Sequence, residues 1–154
     1  MGAYALGTAD AAFGGAREQF EGIVTWLDGS EAAELTHGEL ESRLQVDGRE
    51  LLRRLYQDHL VLRAAREVSL DEVTGADGVV RRSVEKGHAR GLRTVFGEVT
   101  VTRKAYRKSE HRNLYPADAS LNLPAEKHSH GLRQLAAIES TRGSFEETVK
   151  AIER

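Results

Sequence analysis

An α+β fold is expected, and three observations predict it. Residues 16–70 carry apolar side chains at helical spacing, residues 76–124 switch to Val- and Thr-rich alternation, and residues 125–154 return to helical spacing. These blocks read as a helical unit, a basic antiparallel β-ribbon with its loop, and two C-terminal helices. Residues 1–15, small and mildly apolar, read as a flexible leader; they lack the basic start and sustained apolar run of a signal peptide.

The first helix is predicted from Phe20, Ile23, Val24 and Leu27, which share one face, and Asp28-Gly29 stops it. Thr36-His37-Gly38-Glu39 is a capping box, in which the Thr hydroxyl accepts from the third helical N–H and Glu39 reaches back to the cap. A short helix burying Leu40 and Leu44 is expected to follow. Asp47-Gly48-Arg49-Glu50 repeats the cap spacing and predicts a separate long helix with Leu51, Leu52, Leu55, His59 and Leu62 on one side. Three helices with short connections would form a small helical unit.

Gly75-Ala76-Asp77-Gly78 is turn chemistry. Val79 to Val84, Leu92 to Phe96 and Glu98 to Tyr106 are expected as a small three-stranded antiparallel sheet, with Gly97 at a tight hairpin that needs positive φ. In the last strand Val99, Val101 and Arg103 share one face, and Thr100, Thr102, Lys104 and Tyr106 the other. Pro116 and Pro124 punctuate an irregular stretch. Ser129 starts a helix burying Leu132, Leu135, Ala136 and Ile138, and Gly143 ends it. Ser144-Phe145-Glu146-Glu147 caps a last helix with Phe145, Val149 and Ile152 on one face.

Composition narrows the function. The chain of 154 residues has no Cys, which excludes disulfides and thiolate metal sites and points to a reducing cytoplasm. No stretch is apolar enough for a membrane helix. Net charge is −2, but Arg81 to Arg112 holds ten basic residues against three acidic ones, a local +7 that leaves −9 for the remainder. Such a basic middle suits a polyanion-facing surface. It equally suits a solvated ribbon whose charges neutralise the chain's own acidic helices.

No constellation of catalytic residues emerges. His128-Ser129-His130 lacks the further ligands of a metal site and reads as a polar helix cap. His59 reads as a core or rim residue, and His88 and His111 as loop residues beside basic neighbours. Asp71-Glu72 and Glu146-Glu147 are adjacent pairs that diverge on a helix, so neither forms an acid–base couple. No nucleophile motif or phosphate-binding Gly loop is present, and no cofactor or metal is expected. The candidate site is the ribbon: Arg81, Arg82, Lys86, Arg90 and Arg93 on one arm, Arg103, Lys104, Arg107 and Lys108 on the next. Arg and Lys supply the fixed charge and donors that phosphate contact needs, and a β-ribbon can enter a major groove.

From Phe20 to Arg154 the chain resembles the N-terminal region of ISKra-type insertion-sequence transposases. The carrying segments are FEGIVTWLDGSEAAELTHGELESRLQVDGRELLRRLYQDHL, TVFGEVTVTRKAYR and NLYPADASLNLPAEKHSHGLRQLAAIESTRGSFEETVKAIER. The resemblance implies a DNA-handling part, cytoplasmic and nucleoid-associated, that precedes an RNase H-like domain with an acidic metal triad. No position here carries that triad, so the chain is expected to be truncated before it and to have no catalysis of its own. The paired cysteines that often follow the ribbon in related transposases are absent from Ser109 to Tyr115, which argues against a zinc site. The Ser144 helix resembles the opening of an incomplete helix-turn-helix. The partner implied is insertion-sequence DNA. The alternative is a protein-interaction module, a homo-oligomer through the helices or an inhibitor of a full-length transposase.

Overall fold

The computed structural model describes residues 12–143 and 145–153. The order is α1 Gly14–Leu27, α2 Ser30–Ala33, α3 His37–Ala65, β1 Val73–Thr74, β2 Val80–Arg81, β3 Ser83–Thr94, β4 Gly97–Arg107, α4 Pro116–Ser120, α5 His130–Ser140 and α6 Phe145–Ile152. Mixed helix and antiparallel sheet agrees with the expected α+β class. The first helix begins at Gly14, inside the stretch read as leader.

The helical unit differs from the expected three-helix arrangement. Thr36 does form the capping box with Glu39, but the helix it starts runs unbroken through Asp47-Gly48 to Ala65. Arg43 pairs with Asp47 at 2.7 Å, and Glu50 pairs with Arg53 and Arg54 at 2.7 and 2.9 Å, so ion pairs one turn apart bracket Gly48 and offset its weak propensity. The buried face of α3 also differs. Leu60 is buried, whereas Leu52 and Leu55 are 46% and 40% exposed and His59 is exposed.

The β region forms two two-stranded sheets, β1–β2 and β3–β4, in place of one three-stranded sheet. The stretch expected to break near Leu92 is instead part of the 12-residue β3, paired antiparallel with β4 from Ser83↔Arg107 to Thr94↔Gly97. A register shift between Glu85 and His88, with Gly87 at φ 77°, marks a bulge that lets the strand continue. Gly97 has φ 122°, as the tight connection requires.

Register fixes the two faces of the ribbon. Leu92, Val99, Val101, Arg103 and Ala105 are buried beneath α3 and the segment around α4, and Leu60 of α3 joins Leu92, Val99 and Val101 in the core with Tyr56, Leu121 and Leu123 packed against it. On the other face Val84, Ala89, Gly91, Arg93, Glu98, Thr100 and Thr102 are exposed. The expected alternation thus holds through Arg103. It fails at Tyr106, which is 1% exposed and whose hydroxyl oxygen accepts from Leu70 N–H at 2.7 Å.

The β4 edge is covered at several points and the β3 edge at its hairpin end. On the β4 side, Arg53 donates to Glu98 O, Gln57 brackets Thr100, Glu67 accepts from Lys104 N–H at 3.0 Å, and Tyr106 exchanges backbone bonds with Leu114. On the β3 side, Arg93 exchanges backbone bonds with Lys127 and Ser129. Unpaired strand edges invite association, and these contacts cover much of the β4 edge and the hairpin end of the β3 edge.

Ser129 caps α5 as expected, its hydroxyl accepting from Leu132 N–H at 3.1 Å. Leu135 and Ile138, expected buried, are 36% and 42% exposed. The Ser144 cap lies outside the described residues. No described helix is long and apolar enough to cross a membrane.

Candidate nucleic-acid interface

The nine ribbon cations divide into three groups by what their side chains touch. Arg81, Arg90, Arg103 and Lys104 are built into the fold. Arg81 is 1% exposed; its guanidinium grips Asp77 through both terminal nitrogens at 3.2 and 2.8 Å, and donates to Val79 O and Arg112 O. The pair holds the Asp77 carboxyl well below the usual carboxylate range, with the Val79 N–H adding to the effect. Arg103 donates to Asp118 Oδ1 at 2.8 Å and to His88 O at 2.8 Å, and its guanidinium lies 4.0 Å from the Tyr115 ring centre. Arg90 donates to the carbonyls of Pro124 and Glu126 and lies 3.6 Å from Asp118. Lys104 Nζ donates to Glu67 O at 2.6 Å and Ser69 Oγ at 2.8 Å, closing the chain that leaves α3. The donors of these four are engaged by the chain's own carboxylates, carbonyls and a hydroxyl.

Arg82 and Arg107 form the second group. Arg82 bonds Glu72 at 3.0 Å with its side chain 74% exposed, and Arg107 bonds Glu85 with 55% exposed. Arg107 also draws the Glu85 carboxyl below its ordinary range, helped by His88. Exposed pairs of this kind are weak and exchange readily for another anion.

Lys86, Arg93 and Lys108 form the third. All three are exposed, with no side-chain partner among the described residues. Lys86 sits on the bulge and Arg93 at the hairpin end. Lys108 follows β4 beside a polar hollow of about 300 Å³ whose lining includes Ser83, Arg107, Ser109, His111 and Asn113. Ser83↔Arg107 pairing brings Arg82, Arg107 and Lys108 to one end of the ribbon. Arg112, exposed and without a side-chain partner among the described residues, lies in the loop next to it.

Sequence reading missed the residues that sort these cations. Asp118 and Asp77 pair with the structural arginines, the Glu67 carbonyl and Ser69 hydroxyl take the Lys104 ammonium, and Gln57 holds the edge. Only Asp77, four residues before Arg81, gave a local signal. His128 and His130 do not join further ligands: among the described residues no group of three or more His, Asp or Glu side chains is placed to hold a metal ion. His130 Nε2 instead meets Asn122 O at 2.9 Å.

Comparison with protein-family models, with curated proteins and with solved structures finds no match to this chain.

Proposed function

We propose that the chain is a non-catalytic DNA-binding segment of an insertion-sequence transposase that contacts phosphates along the open face and far end of its ribbon. The observation that carries this reading is the placement of the exposed cations. Arg93 at one end of the ribbon, Lys86 at the bulge, and Arg82, Arg107 and Lys108 at the other end flank a face of small residues, Ala89, Gly91, Thr100 and Thr102. Small side chains let a backbone approach closely while long cations reach outward to phosphates. Among the paired strand residues of that face, Glu98 is the one carboxylate.

The transposase part rests on the sequence resemblance. In that reading α5 and α6 serve as the opening of a helix-turn-helix, the protein works in the cytoplasm on the nucleoid, and no residue of this chain has a catalytic role. Filter binding to duplex DNA across a salt series tests the proposal. Each phosphate contact steepens the fall of log affinity with log salt by about 0.9. Lys86→Ala, Arg93→Ala and Lys108→Ala should each weaken binding and flatten that slope by about one contact. Binding that is absent at low salt, or a slope unchanged in all three variants, overturns the reading.

A further inference from the structure

We propose that two copies of the chain associate through the α1–α3 hairpin, reversed end to end, to close a four-helix bundle. The two helices run antiparallel: Ala16 N–H donates to Asp58 Oδ2 at 3.1 Å at one end, and the Arg43 guanidinium covers the Trp26 ring at 4.8 Å at the other. On one side the helices leave an open groove of about 360 Å³ lined by Phe13, Ala16, Arg17, Phe20, Leu51 and Leu55. The apolar stripe continues at helical spacing through Val24 and Leu27 on α1 and back to Leu44 on α3. Phe20 is 52% exposed, Val24 and Leu27 42%, Leu55 40% and Leu44 39%. Side chains of that size leave on the order of 400 Å² of apolar surface, close to the apolar share of the roughly 800 Å² that each partner of a standard interface buries. Arg53 and Gln57, which hold the ribbon, lie on the opposite side of α3, so the seam is sterically open.

Charge selects a second copy and its direction. Phe20 lies level with Leu51, near the middle of the seam. Reversal about that point places Asp28, eight residues beyond Phe20, beside the position eight residues beyond Leu51 on the other copy, which is His59. The corner after α1 carries Asp28, Glu31 and Glu34, all exposed and without a side-chain partner among the described residues. The far end of α3 carries exposed His59 and Arg66. Reversed copies bring these carboxylates toward the Arg66 charge and the His59 imidazole twice, whereas parallel copies set the three carboxylates against their equivalents. The contact needs no DNA, so its failure and that of the phosphate reading are distinguishable.

Sedimentation equilibrium of the full chain without DNA should show a reversible dimer. Phe20→Glu and Leu55→Glu, at exposed positions where circular dichroism should report an intact fold, should each weaken it at least tenfold. A second readout uses the absence of Cys. Asp28→Cys with His59→Cys places two thiols about 27 Å apart along one hairpin, beyond a short bis-maleimide, so cross-linking should give covalent dimers. A monomer at every concentration with no covalent dimer overturns the proposal, as does a dimer that survives both Glu substitutions. Cross-linking by Asp28→Cys alone overturns the reversed arrangement.

Discussion

The side-chain amide of Gln57 brackets the backbone of Thr100: Nε2 donates to Thr100 O at 2.9 Å, and Oε1 accepts from Thr100 N–H at 2.8 Å. One helical side chain thereby takes the place of a neighbouring strand at the middle of the β4 edge. It also sets the height at which α3 crosses the ribbon, which in turn places Leu60 over Val99 and Val101. Gln57→Ala should cost about 1 kcal/mol, because water replaces both bonds only in part. Gln57→Glu should cost a similar amount, since the carboxylate keeps the acceptor and loses the donor. Urea unfolding checks both, and unchanged midpoints would show that the amide does not support the edge.

Two glycines should respond to substitution in opposite ways, Gly48 inside α3 and Gly97 in the ribbon hairpin. An added Cβ at Gly48 meets nothing within 4 Å, so Gly48→Ala should raise stability by about 0.5–1 kcal/mol, the usual gain inside a helix. Were the helix to end there in a left-handed turn, the same change would destabilise. Gly97→Ala should destabilise by roughly 1–3 kcal/mol, because φ is 122° and the new Cβ would lie 3.1 Å from Arg53 Cδ. Thermal melts of the two variants should move in opposite directions.

Acid should weaken the helical unit in a defined window. Arg53 and Arg54 hold Glu50 down from the ordinary 4.5 to about 2, the Arg53 hydrogen bond contributing most. A folded-state pKa below the unfolded one means that Glu50 contributes stability above about pH 4.5, and that this is lost as pH falls toward 2. Asp77, held low by Arg81, adds loss in the same direction. Denaturant unfolding of Glu50→Gln should show a shallower decline than the parent between those pH values. Parallel curves would show that the Arg53–Glu50 pair forms equally well in the unfolded chain.

The three groups of cations should respond differently to substitution. Arg103→Ala removes the partner of Asp118 from a nearly buried site, so it should lower the melting temperature by several degrees. Lys108→Ala should leave the melting temperature within about a degree and reduce DNA binding. If Arg103→Ala melts like the parent, the division between structural and contact cations is wrong.

Much of this molecule was decided by neighbours in sequence. The Thr36 capping box, the Ser129 cap, the alternation of Val99, Val101 and Arg103, and the positive φ at Gly97 all depend on residues at most four positions apart, and each was legible before folding. Asp47-Gly48 misled because its local breaker signal is weak beside the ion pairs and packing on either side. The fate of each cation was illegible for a different reason. Arg103 and Lys108 look alike in a basic run, but Arg103 finds Asp118 fifteen residues away, while Lys108 finds no side chain among the described residues. Composition determined that this chain would carry a positively charged ribbon. Only the tertiary structure determined which charges its own carboxylates and carbonyls would consume, because burial of a charge depends on what the fold brings to within about 3 Å of it.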